Sequence, residues 1–501
     1  MLSRIPSTML SLERPSSFSI AALLIIFATV FKFISLVYLW SKQQRASQHI
    51  PGPFLARWTP LWLTYHAYLG RRYVAVHKAH QRYGVMVRIA PTHVSIAASD
   101  AIPVIYAQGP NAPAKSSFYD AFVCNGKPSL FSTRDRRDHS RKRRVVSHAF
   151  SSIALREFVP MIQSSINEFL ESMDKTCERG EFFDALPWFN YLAFDILSDL
   201  AFGKRIGMGS DVISIQNSPK NAIALVNERE HFSAIIGIYP FLRWAASFMD
   251  FLPGRKATLG LENLGRTQVL ERLSSGASRN DILGKLIIAY GYDDHCPSND
   301  EVDKLTAESV TLLIAGSDTT SNSLAAIIHF ICTHPRVYEK LLRLLEGAAT
   351  GEKSLNYEQA KEIPYLQATI NEGLRLHSTN SIGLHRLAPK GGLVFRGHFF
   401  HEGTELSVPA WTISHSQEIW NDPEAFRPER WLEGKELHPY LLSFGKGPRA
   451  CIGKNLAYMQ MTLVIAAILL KYEVEVKYRE LETTEGFMHK PLHFWIKLRL
   501  R

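Results

Sequence analysis

The chain has 501 residues, 46% of them hydrophobic, with 57 Lys and Arg against 47 Asp and Glu, a formal charge of +10. This is an ordinary globular composition with no low-complexity tract or internal repeat, long enough for a large core and for about three domains by length alone. The positive balance leaves nucleic acid, an anionic membrane and an acidic protein as partners to weigh, whereas five scattered cysteines without C-x-x-C spacing argue against a disulfide framework or a zinc site and fit a reducing compartment.

Residues 18–40, FSIAALLIIFATVFKFISLVYLW, are long enough to cross a bilayer, which takes about 20 residues. Lys32 is the one charge of this run, and its long stem can snorkel. A cleaved signal peptide has a shorter apolar core, about 7–15 residues, followed by a small-residue cleavage site. This run continues to Trp40 and ends in SKQQR, so a membrane anchor is the expectation. Arg4 and Arg14 precede it; Lys42, Arg45 and Arg57 follow, a slight excess that puts the remainder in the cytosol. The expected organisation is a short segment 1–17, the anchor 18–40, a basic linker with a Pro-rich IPGP hinge at 41–53, and one domain at 54–501.

Further along, YGVMVRIAPTHVSIA (residues 83–97) alternates about a central Pro-Thr and reads as a β-hairpin. The densest basic run, RDRRDHSRKRRVVSH (134–148), reads either as a nucleic-acid patch or as a solvated helix face, and the membrane span argues against DNA. Apolar spacing from 151 to 274 is mainly helical, and SSGASRND and YDDHCPSNDE read as surface loops. Residues 305–335 form one long helix, apolar on most sides and therefore central, which Pro335 stops. Gly316, Asp318 and Thr319 interrupt it. A mid-helix Gly costs about 1 kcal/mol, and a core-facing Asp costs more unless it has a partner or a purpose. Two readings are open: a packing glycine with a hydroxyl bonded back to a carbonyl, or a proton-transfer pair. In NEGLRLH, Glu372 and Arg375 share one helix face. After Gly391 come strand-like pieces such as GLVF and ELSVPAWTI.

Residues 443–460, SFGKGPRACIGKNLAYMQ, place Cys451 between a constrained turn and a long apolar helix that begins near Lys454. A thiol there meets unpaired N–H groups and the positive end of a helix dipole, which favour a thiolate. Gly453 lets a bulky group approach, and Arg449 is a cation two residues from the sulfur. A thiolate, a flat partner and an anion-binding Arg suggest haem.

The loop FGKGPRACIG resembles the haem-ligand loop of the cytochrome P450 monooxygenases, F-x-x-G-x-R-x-C-x-G, with Phe444, Gly447, Arg449, Cys451 and Gly453 on the pattern. AGSDTT (315–320) resembles the family's oxygen-activation motif. Glu372 and Arg375, with Arg430 of FRPERW, resemble the triad buried beneath the haem, and HSRKR resembles the haem-covering helix, with His139 where Trp is common and Arg143 at its Arg. Arg386 of GLHRLAP matches the family's further propionate-binding residue. The resemblance runs from about residue 50 to the C-terminus. It implies a mainly α fold with small β-sheets and haem b with Cys451 as axial thiolate. His139, Arg143, Arg386, Phe444, Arg449 and Gly453 would lie around that haem. Asp318 and Thr319 would deliver protons, Thr319 also loosening the helix locally. Electrons would come from NADPH through a cytochrome P450 reductase, with cytochrome b5 as an optional second donor, at the endoplasmic-reticulum membrane. The rest of the basic run would form an exposed face toward that partner, not toward nucleic acid.

Locally, KSSFYDAF, HSRKRRVVSHAFS and HSTNSIGLHRLAP resemble the fungal benzoate para-hydroxylase branch, which implies a small aromatic substrate. His385 departs from it, standing where Pro is expected. Ser378, Thr379, Asn380, Ser381 and His385 either receive a substrate carboxylate or only cap a helix and make a turn. Oxidative tailoring of a fungal secondary metabolite, an aromatic polyketide or terpenoid, is the competing role. A haem-thiolate isomerase would lack the acid–alcohol pair, and a haem sensor or electron carrier would need no distal pocket.

Overall fold

A computed structural model describes residues 49–205, 219–240, 242, 250–275, 279–349, 354–434 and 436–501. The expected anchor at 18–40 lies outside these residues. Among the described residues, no helix is long and apolar enough to cross a membrane.

The chain folds as helices around one long central helix, Asn299–Thr333, with strands gathered into small sheets. That helix begins at Asn299 instead of the expected Leu305. Ser298 explains the difference: its Oγ accepts from the Glu301 N–H while the Glu301 carboxylate accepts from the Ser298 N–H at 2.8 Å, a capping box. At the far end, Pro335 opens the next helix, Pro335–Ala349. Helix Leu186–Phe202 lies along the central helix, with Pro364–Leu376 and Lys454–Lys471 also packed on it. Leu197, Leu313, Leu324, Ile327, Leu374, Leu463 and Ile465 share one core. The stretch from 151 to 274 supplies the expected helices Ser152–Cys177, Leu186–Phe202, Pro219–Ile236 and Pro253–Ser274. Between the first two sits a short strand, Phe183–Asp184, paired with Trp495–Leu500 and too brief to leave a periodic trace.

The hairpin forms as expected from β1 (Met86–Ala90) and β2 (His93–Ile96). Three further strands complete that sheet: β3 (Ala114–Lys115), β4 (Arg386–Leu387) and β5 (Glu405–Ser407), in the order β1-β2-β5-β4-β3. β5 runs parallel to β2 and antiparallel to β4. The expected strand-like piece from Glu405 ends at Ser407, because Pro409 cannot continue the ladder and instead precedes a short helix, Ala410–Ser414.

Glu372 and Arg375 sit fully buried on Pro364–Leu376. The Glu372 carboxylate accepts from Arg375 Nε and an Arg375 terminal nitrogen at 3.0 and 2.9 Å, and from Arg430 Nε at 3.0 Å. It also accepts from the Arg427 N–H at 3.0 Å and the Trp431 indole at 2.9 Å. The guanidinium of Arg375 goes on to the carbonyls of Ser414, Pro423 and Ala425. One buried carboxylate thus ties together stretches distant in sequence, with the hydrogen bonding that a buried ion pair needs.

The basic run lies on helix Arg136–Ala149, capped by Asp135. Arg137, Arg141 and Arg144 are exposed, as expected of a solvated face. Lys142 is not: it turns inward to the Pro128 carbonyl and to Thr133 Oγ1 at 3.0 Å, with Glu308 3.9 Å away. A buried acceptor set on the central helix side overrides the periodicity of the charges.

Candidate active site

The Cys451 loop is held by its own backbone. The Cys451 N–H donates to the Phe444 carbonyl at 2.8 Å, the Gly445 N–H to Leu442 at 2.8 Å and the Ala450 N–H to Gly447 at 3.0 Å. Gly447 has φ +72°, and a Cβ there would lie 2.0 Å from the Tyr106 carbonyl oxygen, so only glycine fits. Gly453 caps helix Lys454–Lys471, and a Cβ on it would touch Cys451 Sγ at 3.9 Å. Phe444 packs against Tyr458 with ring centroids 5.3 Å apart.

Cys451 lies deep in the protein, yet its own surface is exposed, so it faces open space inside the fold. Its thiol is not depressed as the sequence suggests. Burial raises it above the ordinary thiol range, outweighing the N–H groups of Gly453 and Lys454 and the Arg143 charge, which pull it down. Ala315, halfway along the central helix, is also exposed, although Ile314, Ser317 and Asp318 beside it are buried.

Around the loop the fold collects positive charge. Lys115 and Arg386 stand opposite each other across β3 and β4, an arrangement that destabilises a strand pair when both are charged. Arg386 donates to Tyr119 Oη at 3.0 Å and to the His385 carbonyl at 2.9 Å. Arg449 reaches back to the Thr133 and Arg134 carbonyls at 2.5 and 3.0 Å. Arg143, one turn beyond the buried His139, donates to the Ala450 carbonyl at 2.7 Å. Lys115 bonds to the Phe131 carbonyl and sits 4.2 Å from the Tyr119 ring centre. These groups feel one another. Burial and then Arg386 bring Arg449 down to about 10. Burial, Arg449 and Lys115 push His139 down to about 3. Burial, Arg386 and Arg449 drive Lys115 well below the usual lysine range. Among the described residues, none of these cations forms a salt bridge to a carboxylate. The donor set calls for an anionic group to enter it.

On the central helix, both features of the packing reading are present. A Cβ on Gly316 would lie 2.6 Å from a Leu197 methyl, and Thr319 Oγ1 donates to the Ala315 carbonyl at 2.6 Å. The chain stays α-helical through Thr319. Asp318 is buried, with one carboxylate oxygen hydrogen-bonded and the other without a hydrogen-bond partner. Asn322 donates to its carboxylate at 3.0 Å, and Lys490 Nζ is 3.6 Å away. Lys490 also lies 3.5 Å from the Glu230 carboxylate, whose acid form burial and then the Asp318 charge strongly favour. Lys490 and Glu230 come from separate elements, each an isolated charge in sequence, which is why they were not foreseen. Lys115 is another omission; its only signal is its place in KSSFYDAF.

Phe118, Tyr119, Phe122, Phe131 and Phe487 pack together with Ile382 beside the cations, their ring centroids in contact at 4.6 to 6.1 Å. His385 stacks on Phe118 at 4.2 Å, and its Nδ1 is 3.6 Å from Glu405. Burial alone would raise the Glu405 carboxyl, but His385 and His93 hold it at about 2. The polar stretch before His385 is spent on the fold: Ser378 bonds to the Asn380 carbonyl and to Ser443, Asn380 to the Leu442 carbonyl and Ser381 to Glu485. These bonds fit the turn-making alternative.

Residues 51–498 match the cytochrome P450 family. The chain is 38% identical over 499 residues to benzoate 4-monooxygenase of Aspergillus niger, covering 93% of this chain and 95% of that protein. It is 31% identical over 483 residues to a cytochrome P450 monooxygenase of Penicillium roqueforti, covering 94% and 91%. It is 30% identical over 475 residues to pisatin demethylase of Fusarium vanettenii, covering 92% of each chain. With a cysteine loop facing interior space, a set of unpaired cations around it and these relatives along its length, the chain belongs to the cytochrome P450 family and is a monooxygenase.

Proposed function

We propose that this monooxygenase hydroxylates a small aromatic substrate of the benzoate class, held to a membrane by residues 18–40 with its catalytic domain in the cytosol at the endoplasmic reticulum. The observation that carries the substrate class is the aromatic cluster Phe118, Tyr119, Phe122, Phe131 and Phe487. Flat rings suit a flat substrate. The likeness to benzoate 4-monooxygenase points the same way.

The residues present fit haem b. Interior space at Cys451 and a cation set that, among the described residues, has no carboxylate partners match a flat dianion that would take Cys451 as a ligand. When bound, haem supplies the activation of dioxygen, with electrons from NADPH through a reductase or cytochrome b5. Cys451 would hold the iron as its thiolate. Arg143, Arg386, Arg449, Lys115 and neutral His139 bind the propionates, Phe444 and Gly453 shape the Cys451 loop, and Thr319 Oγ1 holds a proton-carrying water. Asp318 passes protons toward it and recovers them from Lys490, 3.6 Å away, and from Glu230, whose acid form burial and the Asp318 charge favour. The aromatic cluster excludes bulk water and orients the substrate ring. Arg137, Arg141 and Arg144 offer the exposed basic face to the reductase.

A second reading, oxidative tailoring of an uncharged aromatic metabolite, is favoured by Glu405, whose carboxylate lies beside His385 and opposes an acid entering there. Titration of the purified protein with benzoate and neutral aromatics, followed by product analysis, separates the two. A spin-state shift with benzoate and formation of 4-hydroxybenzoate are expected; neither occurring refutes the benzoate reading. Cys451→Ala should abolish the red-shifted Soret band of the reduced CO complex, and a normal band would remove Cys451 as the ligand.

A further inference from the structure

Outside the haem environment, one cluster of ligating atoms has no task in the reaction above. His93 opens β2 and Glu405 opens β5, and the parallel register sets them side by side. His385 enters β4 from the neighbouring position, its ring 4.4 Å from that of His93. One ring nitrogen of each histidine and a Glu405 carboxylate oxygen all lie within 4.8 Å of one another. His385 Nδ1 is 3.6 Å and His93 Nδ1 4.0 Å from the carboxylate, both too long for hydrogen bonds. Both rings are buried, 2% and 5% exposed, and both Nδ1 atoms lack any hydrogen-bond partner. Two buried imidazoles aimed at one carboxylate with unused lone pairs is a costly arrangement unless something sits between them.

The supporting contacts suit an ion. His93 Nε2 pairs with Ser407 Oγ at 2.8 Å; in the tautomer with the proton on Nε2 it donates there, and the Nδ1 lone pair is left free to ligate. The Glu405 side chain is 21% exposed, which gives an entry path that the histidines lack. Two imidazole nitrogens and a carboxylate oxygen are the ligand set of a borderline divalent ion, not of Mg2+ or Ca2+. Ligand atoms on tetrahedral Zn2+ stand roughly 3.3 Å apart, so closing the site needs shifts of about an ångström or less in side chains already facing one another. No cysteine takes part, so cysteine spacing gives no sign of it.

We propose that His93, His385 and Glu405 bind one Zn2+ ion with an open fourth position, clamping β2, β5 and the residue that leads into Arg386. The ion fixes the peptide whose carbonyl holds Arg386 and the imidazole that backs Phe118, so it reaches both the cation set and the aromatic cluster without touching the substrate.

The test is equilibrium dialysis of chelator-treated, haem-loaded full-length enzyme against ZnCl2, with bound metal counted by mass spectrometry. Wild type should hold one more zinc per chain than Glu405→Gln, His385→Ala or His93→Asn, with affinity weakened about tenfold or more in each. Equal zinc content in wild type and Glu405→Gln would overturn the proposal and leave an ordinary buried His–Glu cluster. If His93→Asn fails to load haem, Glu405→Gln, which keeps the size of the side chain, carries the comparison. Magnesium chloride in large excess should displace none of the zinc; displacement would refute the ligand assignment. Zinc should also raise the thermal midpoint of wild type alone, and an equal rise in the variants would place the effect elsewhere.

Discussion

Glu372→Gln isolates the largest electrostatic knot in the fold. The native carboxylate is fully buried and accepts five hydrogen bonds, from Arg375 twice, Arg430, the Arg427 backbone and the Trp431 indole. Glutamine keeps one acceptor oxygen, turns the other position into a donor that faces guanidinium N–H groups, and leaves two buried Arg charges uncompensated. Breaking a buried pair from one side costs about 3–5 kcal/mol. Residues 51–498 set the size of the folding unit; at about 2.1 cal/mol/K per residue the unfolding entropy is about 0.9 kcal/mol/K, so the midpoint should fall by about 3–5 K. The assay is a thermal scan at fixed rate, read in parallel by far-ultraviolet circular dichroism and haem absorbance. Glu433→Gln is the control, since its pair with Arg427 is nearly half exposed on both sides and worth at most about 1 kcal/mol. A Glu372→Gln midpoint within about 1 K of wild type would refute the reasoning, because the carboxylate would then not be compensating the two guanidinium groups.

Thr319→Ala should retain haem and substrate binding but divert electrons to peroxide, measured as product formed per NADPH; unchanged coupling would leave Thr319 as a packing residue. Gly447→Ala should cost haem retention during expression, because its Cβ would meet the Tyr106 carbonyl at 2.0 Å with φ at +72°; normal yield and spectrum would count against the loop geometry. Glu308 lies 2% exposed with its carboxyl raised to about 7, chiefly by burial. Its folded pKa is above the unfolded one, so its contribution is present below about 4.5 and lost as pH rises through about 7. Chemical denaturation of wild type from pH 5 to 8 should therefore lose about 3 kcal/mol that Glu308→Gln does not lose; parallel pH profiles would refute it. Reversal of Arg137, Arg141 and Arg144 to Glu should weaken reductase-supported turnover while leaving the CO spectrum intact, and turnover unchanged at low salt would place the docking face elsewhere.

What sequence carries well is whatever is local and periodic. The hairpin of β1 and β2, the long central helix and the Lys454–Lys471 helix behind the cysteine loop all follow from spacing. Glu372, Arg375 and Arg430 come together because a motif says so, not because their spacing demands it. Spacing fails where partners are far apart. Lys142 reads as one more charge on a solvated face, but besides Asp138 one turn away its neighbours are Pro128, Thr133 and Glu308. Glu230 and Lys490 meet Asp318 only through tertiary packing. The thiol of Cys451 shows the same limit in energetic form: local N–H groups are legible in the loop, whereas the burial that outweighs them belongs to the whole fold.

The opposed Lys115 and Arg386 have a consequence for how the protein matures. A newly made chain must close β3 on β4 and bring up Arg143 and Arg449 against mutual repulsion, so its native state is discouraged until an anion arrives. Folding and cofactor capture then become one equilibrium, in which each tenfold rise in free haem above its dissociation constant adds about 1.4 kcal/mol to stability. Haem supply would then act as a quality gate, the empty chain being the less stable one. A neutral residue at Lys115 would loosen that gate, yielding more folded but empty protein and a weaker grip on the cofactor once it is present.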